Sequence, residues 1–234
     1  MERKIWTSNI RSWDDFLTNS SDFKNDELMK KYLMLSKDRY EKKDHEFFAS
    51  KLLSRYHWRA YEDFKDNCCF LDIETTGLSK ERDDITTIGL FNGKESKVFI
   101  NGKTMQDFPD EIKKYSYIVT FNGASFDLPF LRGKFPDMKF NHFHADLRFI
   151  LRALGYSGGL KSIEKQLGIE RESDLAHLTG RDAVKLWYRY KRDGDDKALD
   201  TLVRYNIEDI ENLKNLMDFS FGRMKEACMN TNVG

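Results

Sequence analysis

The sequence predicts an α/β fold: a mixed sheet, built as an antiparallel meander followed by parallel strands, flanked by helices and preceded by a helical extension. Three observations carry this. Residues 1–66 contain neither proline nor glycine, and apolar residues recur there at helical spacing, first Leu28, Tyr32 and Leu35, then Phe47, Phe48, Leu52, Leu53 and Tyr56. From Asn67 onward short apolar runs separated by Asn-Gly turns take over. After Asp146 helical patterns return and continue nearly to the end.

Cys69 to Ile73 reads as a short buried strand that ends in Thr75-Thr76-Gly77-Leu78. Lys80 to Asp84 is a charged turn, Ile85 to Phe91 a second strand, Asn92-Gly93 a hairpin signal, and Val98 to Ile100 a third strand. Tight turns between successive strands imply an antiparallel meander. Met105 to Lys114 reads as a helix broken early by Pro109. Tyr117 to Phe121 is a fourth strand, a helix starts near Ser125, and Phe140 to Ala145 is a fifth strand. The helical remainder is broken at Tyr156–Gly159, around Gly168 and at Asp193-Gly194. A meander, then β-α-β alternation, then helices gives a mixed sheet flanked by helices. The domain division is 1–66, an N-terminal helical extension, then 67–219, the main α/β domain, then 220–234, a C-terminal tail.

Composition limits the function classes. The 39 basic and 39 acidic residues leave no net charge, so any nucleic-acid surface must be local. The extension reads first as a helical appendage packing on the main domain; the alternative is a basic-aromatic surface built from Lys51, Arg55, His57, Trp58 and Arg59. Cys68, Cys69 and Cys228 make neither a disulfide framework nor a metal motif and read as buried, reduced thiols. No signal-peptide pattern opens the chain, and no apolar run approaches the ~18 residues of a membrane span. A soluble cytoplasmic protein that needs no membrane is expected.

The chemistry centres on carboxylates. Asp72 and Glu74 are two apart on a strand and so point to one face. Like charges repel there, and an unpaired buried carboxylate is costly. Either both face solvent or a cation holds them, and oxygen-only ligands suit Mg²⁺ or Mn²⁺. After the fourth strand, Asn122-Gly123 allows a sharp turn, Ser125 can cap the next helix, and Asp127 falls in its first turn, where the helix dipole favours a negative charge. In the last helix Tyr205 and Asp209 are four apart, on one face with Leu202 and Leu213. An aspartate in that apolar stripe needs a partner, and a cation held by Asp72, Glu74 and Asp127 would be one. Asp146 reads as a helix cap, His142 and His144 as ordinary sheet residues, and Lys161 and Arg181 as solvated charges or phosphate contacts.

Asp72-Ile73-Glu74, Asn122-Gly123-Ala124-Ser125-Phe126-Asp127 and Tyr205-Asn206-Ile207-Glu208-Asp209 resemble, in order, the three motifs of the DEDD 3′–5′ exonucleases. The tyrosine four residues before Asp209 is similar to the DEDDy subclass; the histidine subclass would need a histidine where Arg204 stands. Gly159-Leu160-Lys161-Ser162-Ile163-Glu164, with Leu186-Trp187 and Tyr205-Asn206, further resembles the YprB-like predicted exonucleases. The resemblance covers about residues 67–219 and implies a ribonuclease H-like fold. It implies a phosphodiesterase with two Mg²⁺ or Mn²⁺ ions held by Asp72, Glu74, Asp127 and Asp209, with Asp72 bridging and Tyr205 orienting the attacking water. Thr75, Thr76, Gly77, Leu78, Asn122 and Phe126 are then the expected contacts to the terminal nucleotide. The expected substrate is the 3′ end of single-stranded nucleic acid, DNA favoured. An exoribonuclease, or a non-catalytic nucleic-acid-binding module on the same fold, are the alternatives.

Overall fold

A computed structural model describes residues 8, 10–19, 23 and 25–230. Five strands, β1 (Cys68–Thr75), β2 (Ile85–Phe91), β3 (Ser96–Ile100), β4 (Tyr117–Thr120) and β5 (Phe143–Asp146), form one sheet in the order β3-β2-β1-β4-β5. The β1–β2 and β2–β3 pairs are antiparallel, whereas β1–β4 and β4–β5 are parallel. This is the expected mixed sheet. The central strand, β1, is therefore the one that carries Asp72 and Glu74.

Alternation along β1 divides the interior in two. Cys69, Leu71 and Ile73 join Ile88, Leu90, Phe99 and Ile118 in one core, closed by helix α5 (Phe108–Ile112) and helix α6 (Asp127–Lys134). Phe70 joins Tyr117, Val119, Phe143 and Ala145 in the other. That face is covered by α7 (Leu147–Ala153) and by the long C-terminal helix α10 (Asp196–Asn230), which contributes Leu213, Leu216 and Met217. Period two along the strand then turns Asp72 and Glu74 toward α10. In the chain between α7 and α10 come α8 (Leu160–Gln166) and α9 (Gly180–Asp193), and Trp187 of α9 packs with Leu202 and Tyr205 of α10.

The extension contains α1 (Trp13–Asn19), α2 (Asp26–Glu41), α3 (His45–Lys51), a 3₁₀ segment at Ser54–Ala60, and α4 (Tyr61–Phe64). Its last part belongs to the main core: Trp58, Ala60, Tyr61 and Phe64 are buried with the β1–β4–β5 cluster. Tyr61 donates to Asp218 at 2.8 Å, and Tyr117 donates to the carbonyl of His57 at 2.9 Å. The end of the extension thus packs on the main domain, and the alternative basic-aromatic surface does not form as a unit. His57 and Trp58 are buried, and Nδ1 of His57 accepts the backbone N–H of His144, so only Lys51, Arg55 and Arg59 face solvent.

Other corrections are local. Pro109 does not break a helix; it opens α5 after a 3₁₀ turn at Met105–Asp107, where its missing N–H costs nothing. Ser125 does not cap α6, which starts at Asp127 with Phe126 in the cap position. β5 begins at Phe143, not Phe140. Helix α10 runs through residue 219 without interruption, and Phe219, Phe221 and Met224 pack against the core. The ends of the expected extension and tail, 1–7 and 231–234, lie outside the described residues. No described helix is long and apolar enough to cross a membrane.

Candidate active site

β1, the turn after β4 and helix α10 bring their acids together. Asp72, Glu74 and Asp209 each place one ligand oxygen so that all lie within 4.8 Å of one another. Asp127 is buried beside them at the first position of α6, and its Oδ1 accepts the N–H of Ile73, on β1 between Asp72 and Glu74, at 3.1 Å. Asp127 and Asp209 are 3% and 5% exposed, while Asp72 and Glu74 are half-buried.

Burial raises the pKa of all four acids, and their mutual repulsion adds to it. Asp72 and Glu74 lie well above the usual carboxylate range, through burial first and then the charges of Asp209 and Asp127. Burial pushes Asp127 up to about 7 against the pull of backbone N–H groups, and Asp209 up to about 6 against the pull of Arg171. A set of hard oxygen donors that resists ionisation without a counter-charge fits a divalent cation such as Mg²⁺ or Mn²⁺.

The chain supplies its own partner for Asp209, which sequence reasoning missed. In the loop after α8, Arg171 sits between Glu164, Asp209 and Glu208. Its Nε and Nη2 donate to the two oxygens of Glu164 at 2.6 and 2.7 Å, and Nη2 also donates to Oδ1 of Asp209 at 2.5 Å. Nη1 lies 3.4 Å from Glu208. Glu164, 1% exposed, also accepts from Asn212 at 3.1 Å. An arginine in a loop carries no periodic signal. Glu164 carried one, as a carboxylate next to the buried Ile163.

Asn206 was also missed as a site residue. It is fully buried, and its Nδ2 donates to Oδ2 of Asp72 at 2.9 Å. Room for it comes from Gly89, the register partner of Asp72 on β2, where a Cβ would stand 2.8 Å from Oδ1 of Asn206. Only glycine leaves that space.

Tyr205 is 6% exposed, one helical turn before Asp209. Burial, followed by the charges of Asp209, Glu74 and Asp72, raises its pKa, so the hydroxyl keeps its proton. The ammonium of Lys161 lies over the Tyr205 ring, 4.7 Å from its centroid, and donates to the carbonyl of Leu178.

The expected nucleotide contacts are divided. Leu78 is 87% exposed at the strand's end. The hydroxyl of Thr75 donates to the carbonyl of Gly77 at 2.5 Å, and the N–H of Thr76 donates to Asp84. These two donors are spent inside the turn. Phe126 is half-buried and packs on Phe130 with ring centroids 4.9 Å apart. Asn122, in the left-handed region at φ 67, accepts from Arg148 Nη1 at 2.6 Å. Asp146 caps α7 and accepts the N–H groups of Asn122, Ala124 and Arg148, which ties down the turn leading to Asp127.

A mixed sheet with an acidic centre between its central strand and a C-terminal helix defines a nuclease-like α/β protein. The family model of the RNase_H superfamily matches residues 69–220, and the chain belongs to that superfamily. No curated protein matches it significantly. Among solved structures it is similar to the family B DNA polymerase of the hyperthermophilic archaeon Pyrobaculum calidifontis, at 18% identity and a TM-score of 0.52. That match takes in 64% of this chain but 24% of the polymerase. It is similar also to a structure described as the apo form of a nuclease, at 16% identity and a TM-score of 0.51, over 77% of this chain and 82% of that one. NrnC of Brucella melitensis, bound to pGG, matches at 17% identity and a TM-score of 0.43, over 74% of this chain and 84% of that one. At these identities the first two likenesses show the fold alone.

Proposed function

We propose that the chain is a metal-dependent 3′–5′ exonuclease of the DEDDy type, similar to the YprB-like exonucleases, acting on the 3′ ends of single-stranded nucleic acid with DNA favoured. One observation carries the reading: Asp72, Glu74 and Asp209 converge to within 4.8 Å, in a chain of the RNase_H superfamily. With Asp127 they make an all-carboxylate set that suits Mg²⁺ or Mn²⁺ and not the nitrogen and sulfur set of a structural zinc. Two such ions, when bound, neutralise these acids and stabilise the charge on the attacking and leaving oxygens of an in-line displacement.

The chain's own residues do the rest. Arg171 and Asn206 hold Asp209 and Asp72 by one oxygen each. Tyr205, protonated and buried, is a poor base and acts as a hydrogen-bond donor that orients the attacking water. Leu78, exposed at the strand's end, packs on the terminal base, with Thr76, Gly77, Asn122 and Phe126 around it.

The test is to incubate the protein with end-labelled single-stranded DNA, duplex DNA and RNA in Mg²⁺, in Mn²⁺ and in EDTA, beside Asp72→Asn. A stepwise ladder from the 3′ end, absent in EDTA and in Asp72→Asn, is expected, with single strands cut faster than duplex. Nicking of circular single-stranded DNA, or hydrolysis in EDTA, would refute the assignment. The RNA lanes decide the sugar preference.

A further inference from the structure

A pocket of about 590 Å³ is lined by Phe121, Asn122, Arg148, Arg152, Tyr156 and the turn at residues 157–159. Two of its lining residues belong to segments that lead into the acidic centre. Asn122 begins the turn that delivers Asp127, and Ile163 precedes the Glu164 that grips Arg171.

The pocket is cationic and holds no acid of its own. Arg148 and Arg152 stand four apart on α7 and share a face. Both are exposed, and neither forms an ion pair with a carboxylate among the described residues, whereas Arg39, Arg171, Arg189 and Arg204 do. The nearby Asp146 accepts three backbone N–H groups and attracts Arg148 only through space. Asn122 fixes one nitrogen of the Arg148 guanidinium, which leaves further donors of the fork free. The far wall is bare backbone: a Cβ at Gly159 would meet nothing within 4 Å, and Gly158 sits at φ +118, where a side chain would be strained.

We propose that this pocket binds backbone phosphates of the strand that leads into the acidic centre, upstream of its terminal nucleotide, with Arg148 and Arg152 holding them. The inference rests on the exonuclease reading. Four carboxylates repel a polyanion, and a chain of zero net charge has no general field to offset that. The compensating charge must be local, unpaired and beside the site, and the fork of arginine suits a phosphate.

Fluorescence anisotropy tests this in EDTA, where the full-length chain binds oligonucleotides without cutting them. The probes are a 5′-labelled thymidylate dodecamer, the matching uridylate dodecamer and a thymidylate dinucleotide, titrated at several salt concentrations. Wild type is expected to bind both dodecamers more tightly than the dinucleotide. The Arg148→Ala/Arg152→Ala double variant should lose most of that difference, about tenfold or more, with DNA and RNA affected alike. Its salt slope should fall by roughly 0.7 for each phosphate that is no longer neutralised. Arg152→Lys should retain more affinity than Arg152→Glu, and thermal melts identify any variant that fails to fold. If wild type cuts a ladder in Mg²⁺ while the double variant binds the dodecamers with unchanged affinity and slope, this inference alone is overturned. If wild type neither binds nor cuts, the exonuclease reading falls and takes the inference with it.

Discussion

Replacing Arg171 by methionine keeps most of the stem and removes the charge. The guanidinium is 5% exposed, and its partners Glu164, Asp209 and Glu208 are 2%, 7% and 12% exposed. Removing one partner of a buried ion pair costs about 3–5 kcal/mol, because the other charge stays behind without compensation. Protonation limits that loss. Neutralising one carboxyl of ordinary pKa ~4.3 costs about 1.36 kcal/mol per pH unit, so roughly 4 kcal/mol at pH 7.5 and under ~2 kcal/mol at pH 5.5.

Urea denaturation of Arg171→Met in EDTA should therefore show a loss of about 3–4 kcal/mol at pH 7.5, shrinking by about half at pH 5.5. Adding Glu164→Gln removes the stranded charge and should recover at least ~1 kcal/mol, within the usual range of coupling energies for contacting residues. A loss under ~1 kcal/mol at pH 7.5, or no recovery with Glu164→Gln, would refute the view that Arg171 neutralises this trio.

Three further outcomes are expected. Tyr205→Phe should lower kcat by about 10²-fold with little change in KM or melting temperature, as single-turnover rates and melts will show; an unchanged rate would make Tyr205 a packing residue. Gly89→Ala would press a Cβ to 2.8 Å from Asn206 Oδ1 and 3.0 Å from Ile210 Cγ2, so denaturant midpoints should report a loss of about 1–3 kcal/mol. Asp127 has its pKa raised to about 7 in the folded chain, above the ~3.9 of an unfolded aspartate, so the unfolded state holds fewer protons and metal-free stability should fall as pH rises toward 7. His144, lowered to about 4 by burial, works in the opposite sense, its contribution being lost as pH falls from ~6.5 toward 4. The decline is thus cleanest between about pH 6.5 and 7.5; Asp127→Asn should remove part of it, because Asp72 and Glu74 are raised as well, and Mg²⁺ should flatten it.

Strand periodicity and turn chemistry made the sheet legible. The Asn92-Gly93 hairpin and the apolar runs at residues 85–91 and 117–120 behave as their local chemistry dictates, and α10 carries its apolar stripe of Leu202, Tyr205 and Leu213. The acids were legible because two positions on a strand and four on a helix fix a shared face without tertiary knowledge. Residues defined by what lies across from them were not. Arg171 sits in an irregular loop, and its importance depends on Glu164 and Asp209, 7 and 38 residues away. Gly89 lies in a strand whose other residues explain the strand without it; only the approach of Asn206 from α10 explains the glycine. The alternative basic-aromatic surface fails for a related reason: His57 and Trp58 look polar-aromatic in sequence, yet the edge of the sheet buries them against Phe143 and Phe221.

The grips on the acids follow one pattern. Asp72 is held by Asn206 through Oδ2, Asp127 by the Ile73 N–H through Oδ1, and Asp209 by Arg171 through Oδ1. Each of these three carboxylates is thus oriented by a group from a different part of the chain. Glu74 is eased instead through space, by the charges of Lys161 and Arg171. A carboxylate held through one oxygen loses little freedom when the other meets a cation, whereas one steadied only by distant charge must be ordered at that moment. Glu74→Gln should therefore weaken Mg²⁺ binding chiefly by removing a charge and cost little folding stability. Asp72→Ala should do both, because it removes the acceptor of the buried Nδ2 of Asn206. Calorimetric Mg²⁺ titrations and denaturant melts of the two variants side by side separate these cases, and equal stability losses would show that the Asn206 hydrogen bond does not hold Asp72 in place.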